Sequence, residues 1–296
     1  MTKDTLRLIE RSDDERPLFL HEVLSDLREG SVVLDAGCGS GSFPHASYSG
    51  LSIVSLDVKV PAQDAFAATA KRDLGFGRLA GGQAPRAVVS GAAAGERPRN
   101  FVVADVETLP MAGSVADLLI LNYVLEHVCD AGAAIAEAAR VLRAGARLYV
   151  AVPNARSFDD RFYRFAGYFA KYGLLKLGKR LEHQQRFDFL SLNRLLYGRG
   201  FRLLSFCECP SGYTWMNDAR VKKFHTHFLR FLSFLKRALS IDLFRSSNYL
   251  ALYEHAGGRG VRLVTHVCSV CGLHLVREEA GKGPWMCPYC DNRNVH

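Results

Sequence analysis

The apolar positions of the chain recur in two rhythms. Short, nearly continuous runs occur at 32–34 (VVL), 51–56 (LSIVSL), 101–104 (FVVA), 117–121 (DLLIL) and 148–152 (LYVAV), and again at 201–206 and 249–253. Runs of this length read as strands, and solid apolarity marks parallel strands buried on both faces. Between them the spacing turns helical. Leu20, Val23, Leu24 and Leu27 share one face of 17–28, which Gly30 ends, and helical spacing returns at 135–142 and 190–197. A longer stripe of Val221, Phe224, Phe228, Leu232, Leu235 and Leu239 runs through 220–240. Strands alternating with helices predict an α/β fold on a mostly parallel sheet.

Two stretches interrupt the alternation. Residues 75–98 are dominated by Ala, Gly, Arg and Pro and read as a flexible insertion. Residues 257–260 (GGRG) read as a linker before a cysteine-bearing tail.

The first strand run meets an acid and three alternating glycines in VVLDAGCGSG. Such a turn into a helix lets a nucleotide-like ligand approach the backbone at the carboxyl end of the sheet. A dinucleotide fingerprint, G-x-G-x-x-G, would need glycine where Ser42 or Pro44 stands. The second run ends in Asp57, 22 residues after Asp35, the separation of an acid that accepts from ribose hydroxyls. The third run ends in Asp105 and the fourth in Asn122, followed by VLEHV, which puts Glu126 and His127 at the edge of the same cleft.

These strings, LDAGCGSG, SLD, DVETLP, LEHV and RVLRAGARLYVAVPN, resemble the class I S-adenosylmethionine (SAM)-dependent methyltransferases over about residues 17–154, with weaker echoes to 254. The 75–98 insertion and Ala146, where the family usually has a second glycine, depart from the pattern. The resemblance implies a Rossmann-like, seven-stranded, mostly parallel sheet with an antiparallel last strand, spanning 1–256, with 155–247 partly a cap over the substrate. It implies SAM as cofactor, held by Asp35, Gly37, Cys38, Gly39, Gly41, Asp57, Asp105, Val106 and Asn122. Asp105 would take the adenine amino group, and the next backbone amide a ring nitrogen. Cys38 reads as a small filler within the loop, not a nucleophile. Methyl transfer is an in-line displacement, and a hydroxyl or amine acceptor gains from a nearby base. His127 and His183 are the candidates, since imidazole titrates near neutral pH.

The tail, 261–296, carries C-x2-C at Cys268 and Cys271 and again at Cys287 and Cys290, fifteen residues apart. Four thiolates so spaced close a tetrahedron around one structural Zn²⁺, a zinc ribbon with no open coordination position. His266 and His274 stand nearby as substitutes that nothing requires. Cys207 and Cys209, on one face of a strand, read as packing thiols.

Charge changes the picture for the acceptor. The chain's formal net charge is +8, yet residues 156–245 hold 18 Lys+Arg against 7 Asp+Glu, a local +11. With no run approaching ~18 apolar residues and no signal-peptide core at the start, the chain reads as soluble and cytoplasmic. The expected acceptor is a small molecule or glycan, methylated on oxygen, because LEHQQRF and LSLNRLLYGRGF resemble methyltransferases of sugar, lipid and secondary metabolism. A basic, aromatic cap also suits a lipid-linked acceptor or contact with an anionic membrane. RNA methylation is the first rival, and a non-catalytic interaction protein that keeps the fold is the second.

Overall fold

The computed structural model describes residues 8–10, 16–39, 41–59, 100–155, 157, 184–209, 248–256, 263–270, 274–278, 285–287 and 293–294. The 75–98 insertion, His183, the 220–240 stripe, Cys271 and Cys290 lie outside them.

In chain order the described elements are β1 (Leu8–Glu10), α1 (Arg16–Ser25), β2 (Val32–Ala36), a 3₁₀ turn (His45–Tyr48), β3 (Ser52–Asp57), β4 (Phe101–Val103), β5 (Ala116–Asn122), α2 (Ala131–Val141), β6 (Leu142–Pro153), α3 (Phe189–Tyr197), β7 (Phe201–Cys209) and β8 (Asn248–His255). Four short strands follow in the tail: β9 (Leu263–Val267), β10 (His274–Glu278), β11 (Trp285–Met286) and β12 (Arg293–Asn294).

The main sheet has the order β1-β7-β8-β6-β5-β2-β3-β4. Strands β2 to β6 run parallel, and β8 runs antiparallel to both neighbours, β6 and β7. The seven expected strands and the antiparallel last one are therefore present. The expected count is one short, because β1 adds an eighth strand, parallel to the edge of β7. Three residues, LIE, in a charged leader carry too little periodicity to announce a strand.

The centre of the sheet is the core. Val33, Leu118, Leu119, Ile120 and Leu121 are completely buried, as are Leu148 and Val150 of β6. Helix α1 covers one face with Phe19, Leu20, Val23 and Leu24. On the other lies α2, where alanines let the helix approach closely and Ala131, Ala134, Ile135, Ala138 and Val141 form the buried stripe. The Asp130 side chain caps α2 by accepting from Gly132 N and Ala133 N. Helix α3 opens with a reciprocal cap between Asp188 and Ser191 and seats Phe189 against Phe206, rings 4.4 Å apart. Among the described residues no helix is long and apolar enough to cross a membrane.

Every parallel strand from β2 to β5 delivers its carboxyl end to the same edge. That edge carries Asp35, Asp57, Asp105 and Asn122.

Candidate functional site

The glycine loop begins where β2 stops. Gly37 sits at φ +67° and Gly39 at φ +51°, backbone that side chains other than glycine's rarely adopt. The two differ in surroundings. A Cβ on Gly37 would come within 2.4 Å of Val124 Cγ2, whereas one on Gly39 would meet nothing within 4 Å. Gly37 therefore serves the packing of the β5–α2 connection, and Gly39 presents bare backbone outward. Gly41 has φ +103°, and its N–H donates to the Cys38 carbonyl at 2.7 Å.

Cys38 is buried, and its amide donates to Leu56 O at 3.0 Å, tying the loop to β3. Burial first, then the Asp35 and Asp57 carboxylates, push its thiol up to about 12. A thiol so disfavoured as thiolate is no nucleophile at neutral pH, in line with its reading as a filler.

Asp35 is fully buried. Its Oδ2 accepts from Ser42 N at 3.2 Å and lies 3.6 Å from His45 Nε2. Its Oδ1 has no hydrogen-bond partner among the described residues. Asp57, at the end of β3, accepts from Gly39 N through Oδ2 at 2.7 Å and from Lys59 N through Oδ1 at 3.1 Å. Two amides fix the carboxylate and leave each oxygen with lone pairs to spare. Asp105, just past β4, is exposed and accepts from Glu107 N at 2.9 Å. Val106 after it is buried, and Asn122 closes β5 half-buried. These residues fit an adenosyl group bearing a ribose: acids aligned along three adjacent strand ends, beside an open glycine backbone.

The connection from β5 to α2 forms the next wall. Tyr123 holds φ +58°, a conformation that costs a non-glycine residue energy and is typical of turns at functional sites. His127 is exposed, with Nε2 4.0 Å from Glu126 Oε1. Glu126 is buried; its carbonyl accepts from Gln184 N at 2.8 Å and Gln185 N at 3.0 Å. The segment immediately after His183 thus returns to the turn that carries His127. Burial pushes the Glu126 carboxyl up to about 7, and sequence reasoning placed that residue at the cleft without giving it a role. Its one signal was an acid flanked by Val124, Leu125 and Val128 in the turn VLEHV.

In the tail, the C-x2-C of Cys268 falls in the β9–β10 connection and that of Cys287 in the β11–β12 connection, with both hairpins antiparallel. Cys268 and Cys287 are buried and form no disulfide. Asn294 Nδ2 donates to Cys268 Sγ at 3.7 Å, and Asn294 Oδ1 accepts from Ser269 N at 2.9 Å. Among the described residues no group of three or more His, Cys, Asp or Glu could hold a metal; the other two cysteines of the set lie outside them. An amide donor aimed at sulfur fits a thiolate, the form a metal ligand takes.

The model of the methyltransferase domain family matches residues 10–205. Among solved structures, a SAM-dependent methyltransferase from Methanosarcina mazei is similar at 18% identity, covering 79% of this chain and 96% of that one, with a TM-score of 0.49. The YcgJ protein from Bacillus subtilis is similar at 17% identity, covering 81% and 98%, with a TM-score of 0.48. No curated protein sequence matches. With about two thirds of its length matched to the family model, the chain belongs to the methyltransferase domain family.

Proposed function

We propose that the protein is a SAM-dependent methyltransferase acting on a small-molecule, glycan or lipid-linked acceptor, through oxygen. The observation that carries the cofactor assignment is Asp57, locked by the Gly39 amide at the edge of an open glycine loop. In this reading Asp57 accepts from the ribose hydroxyls, and Asp105 with the Val106 backbone faces the adenine. The loop glycines admit the ligand's backbone-hugging portion, and the spare Asp35 Oδ1 offers a further acceptor. SAM supplies an activated methyl group when bound. The chain's part is to hold the acceptor in line and to take its proton, for which exposed His127 is within the same turn; His183 remains a second candidate base. Calorimetry with SAM and S-adenosylhomocysteine (SAH) tests the assignment, which predicts binding of both and none of NAD.

We further propose that Cys268, Cys271, Cys287 and Cys290 hold one structural Zn²⁺. The support is the spacing of the four cysteines, the burial of Cys268 and Cys287 just after β9 and β11, and the amide donated to Cys268 sulfur.

The acceptor class is read from residues 156–245, where a net +11 accompanies two aromatic stretches. An anionic head on an apolar tail matches both features, and RNA matches the charge alone. Phe228→Ser and Leu232→Ser should lower sedimentation with anionic liposomes. Binding of total RNA would respond only to Lys222, Lys223, Arg230, Lys236 and Arg237, with a steep salt dependence. RNA binding without liposome binding would replace the lipid-linked reading by the RNA one.

A further inference from the structure

Glu126 carries a group that the proposed transfer does not use. Its side chain is 3% exposed, and Oε2 makes no hydrogen bond among the described residues. The other oxygen lies 4.0 Å from His127 Nε2, beyond hydrogen-bond reach. Nearly all buried polar groups in native proteins are paired, so an acid kept with an oxygen to spare calls for an explanation. Unsatisfied, desolvated acids collect at binding and catalytic sites.

The position supplies one. Glu126 lies four residues beyond Asn122, the last residue of β5, at the carboxyl edge of the sheet. Val124, two residues before it, packs on Gly37 closely enough that a Cβ there would collide. The Glu126 carbonyl anchors Gln184 and Gln185. The turn after β5 therefore meets the glycine loop through Val124 and residues 184–185 through the Glu126 carbonyl.

We propose that Glu126 senses the charge of the cofactor in the cleft, protonated when the occupant is neutral and ionised, its proton released to solvent, when the occupant is a sulfonium cation. The proposal rests on the reading that the cleft takes SAM. SAM carries the sulfonium, whereas the product SAH is a neutral thioether, so the acid would favour substrate over product. A carboxyl raised to about 7 by burial is suited to this, because a nearby cation restores the ionised form. The other titratable or charged groups on the surrounding pieces are Tyr123, His127, Cys129 and Asp130 on the same turn, Glu107 bound to the Cys129 and Asp130 amides, Asp35 and Cys38 on the glycine loop, and Arg186 and Asp188 on the returning segment. None of them contributes to the shift, which burial causes and the Glu126 backbone amide opposes.

Calorimetry at pH 7 in phosphate and in Tris, whose ionisation enthalpies differ, counts the protons released with each ligand. A group with a value near 7 is half protonated at that pH, so SAM should release about half a proton more than SAH. If only the ionised fraction accepts the sulfonium, the SAM-to-SAH affinity ratio should rise about tenfold from pH 6 to pH 8. Both ligands carry the same α-amino group, and Glu126→Gln isolates the protein's share. That variant should bind both ligands with equal proton release and a flat ratio. Equal release in the wild type, or a difference that persists in Glu126→Gln, overturns the proposal. Should the variant fail to fold, the wild-type ratio decides alone, and a flat ratio between pH 6 and pH 8 overturns it. Binding of neither ligand overturns the cofactor reading itself, and this proposal with it.

Discussion

The parallel centre of the sheet and the cysteine-bearing tail position their polar groups by different means. In the centre, Val33, Leu118, Leu119, Ile120 and Leu121 are fully buried, and strand pairing alone brings Asp35, Asp57 and Asp105 to one edge. In the tail, the described strands are five residues long in one hairpin and two in the other. Two hairpins of this size bury too little to stand alone; β10 packs against β7 and α3, Cys268 and Cys287 join the main core, and the proposed zinc would supply the remaining folding energy. A large core frees its polar residues for a ligand, while a small one commits them to holding the fold.

The largest expected effect breaks the tail. Removing zinc by chelation, or making Cys287→Ser, should unfold it, since structural zinc contributes on the order of 10 kcal/mol to such modules. Elemental analysis should fall from one zinc per chain to none. SAH affinity should stay within about twofold. Full metal content in the quadruple cysteine variant would refute the assignment, and lost SAH binding would show that the two regions are not separable.

Next comes a contrast inside the glycine loop. Gly37→Ala combines a left-handed backbone with a 2.4 Å overlap on Val124, and should cost about 4 kcal/mol in stability or in SAH affinity. Gly39→Ala has the same backbone sign but open space around it. It should cost about 1 kcal/mol. Thermal melts with and without SAH separate the two, and equal effects would contradict the packing role given to Gly37.

Glu126→Gln tests this buried acid by stability. Its carboxyl is raised above the unfolded value of 4.5 to about 7, so the folded state favours the neutral form. The wild type therefore keeps this contribution below about 4.5 and loses it as pH rises through 7. The variant should be the more stable of the two at pH 8, by up to about 3 kcal/mol, with most of the gap gone at pH 5. Denaturant midpoints at the two pH values give the answer, and a gap that is the same at both would show that Glu126 is not desolvated.

How far the sequence could be read follows the same division. Strands β2 and β5 were legible because parallel strands buried on both faces must be solidly apolar, β3 by its short apolar run, and helices α1 and α3 because one face alone is buried. The acids were legible by position, each ending such a run. Strand β1 was not, since Leu8–Glu10 joins the sheet through pairing with Phe206–Glu208 rather than through any pattern of its own. Nor was the burial of Glu126, whose carbonyl meets the amides of Gln184 and Gln185 across 58 and 59 residues of chain, an environment only tertiary structure assembles. Cysteine spacing pointed to a small separate module in the tail, whereas the Asn294 donor to Cys268, 26 residues away, had no local signature.

A smaller expected effect than that of Glu126→Gln tests the central claim most directly. Asp57 holds the Gly39 amide and is the proposed acceptor for the ribose hydroxyls. Calorimetric titration of wild-type protein and Asp57→Ala with SAH should show binding weakened by about 2 kcal/mol, roughly thirtyfold, for two lost hydrogen bonds to a charged group. NAD should bind neither protein measurably. Unchanged SAH affinity in Asp57→Ala, or tighter binding of NAD than of SAM by the wild type, would contradict a SAM-binding cleft at this edge of the sheet.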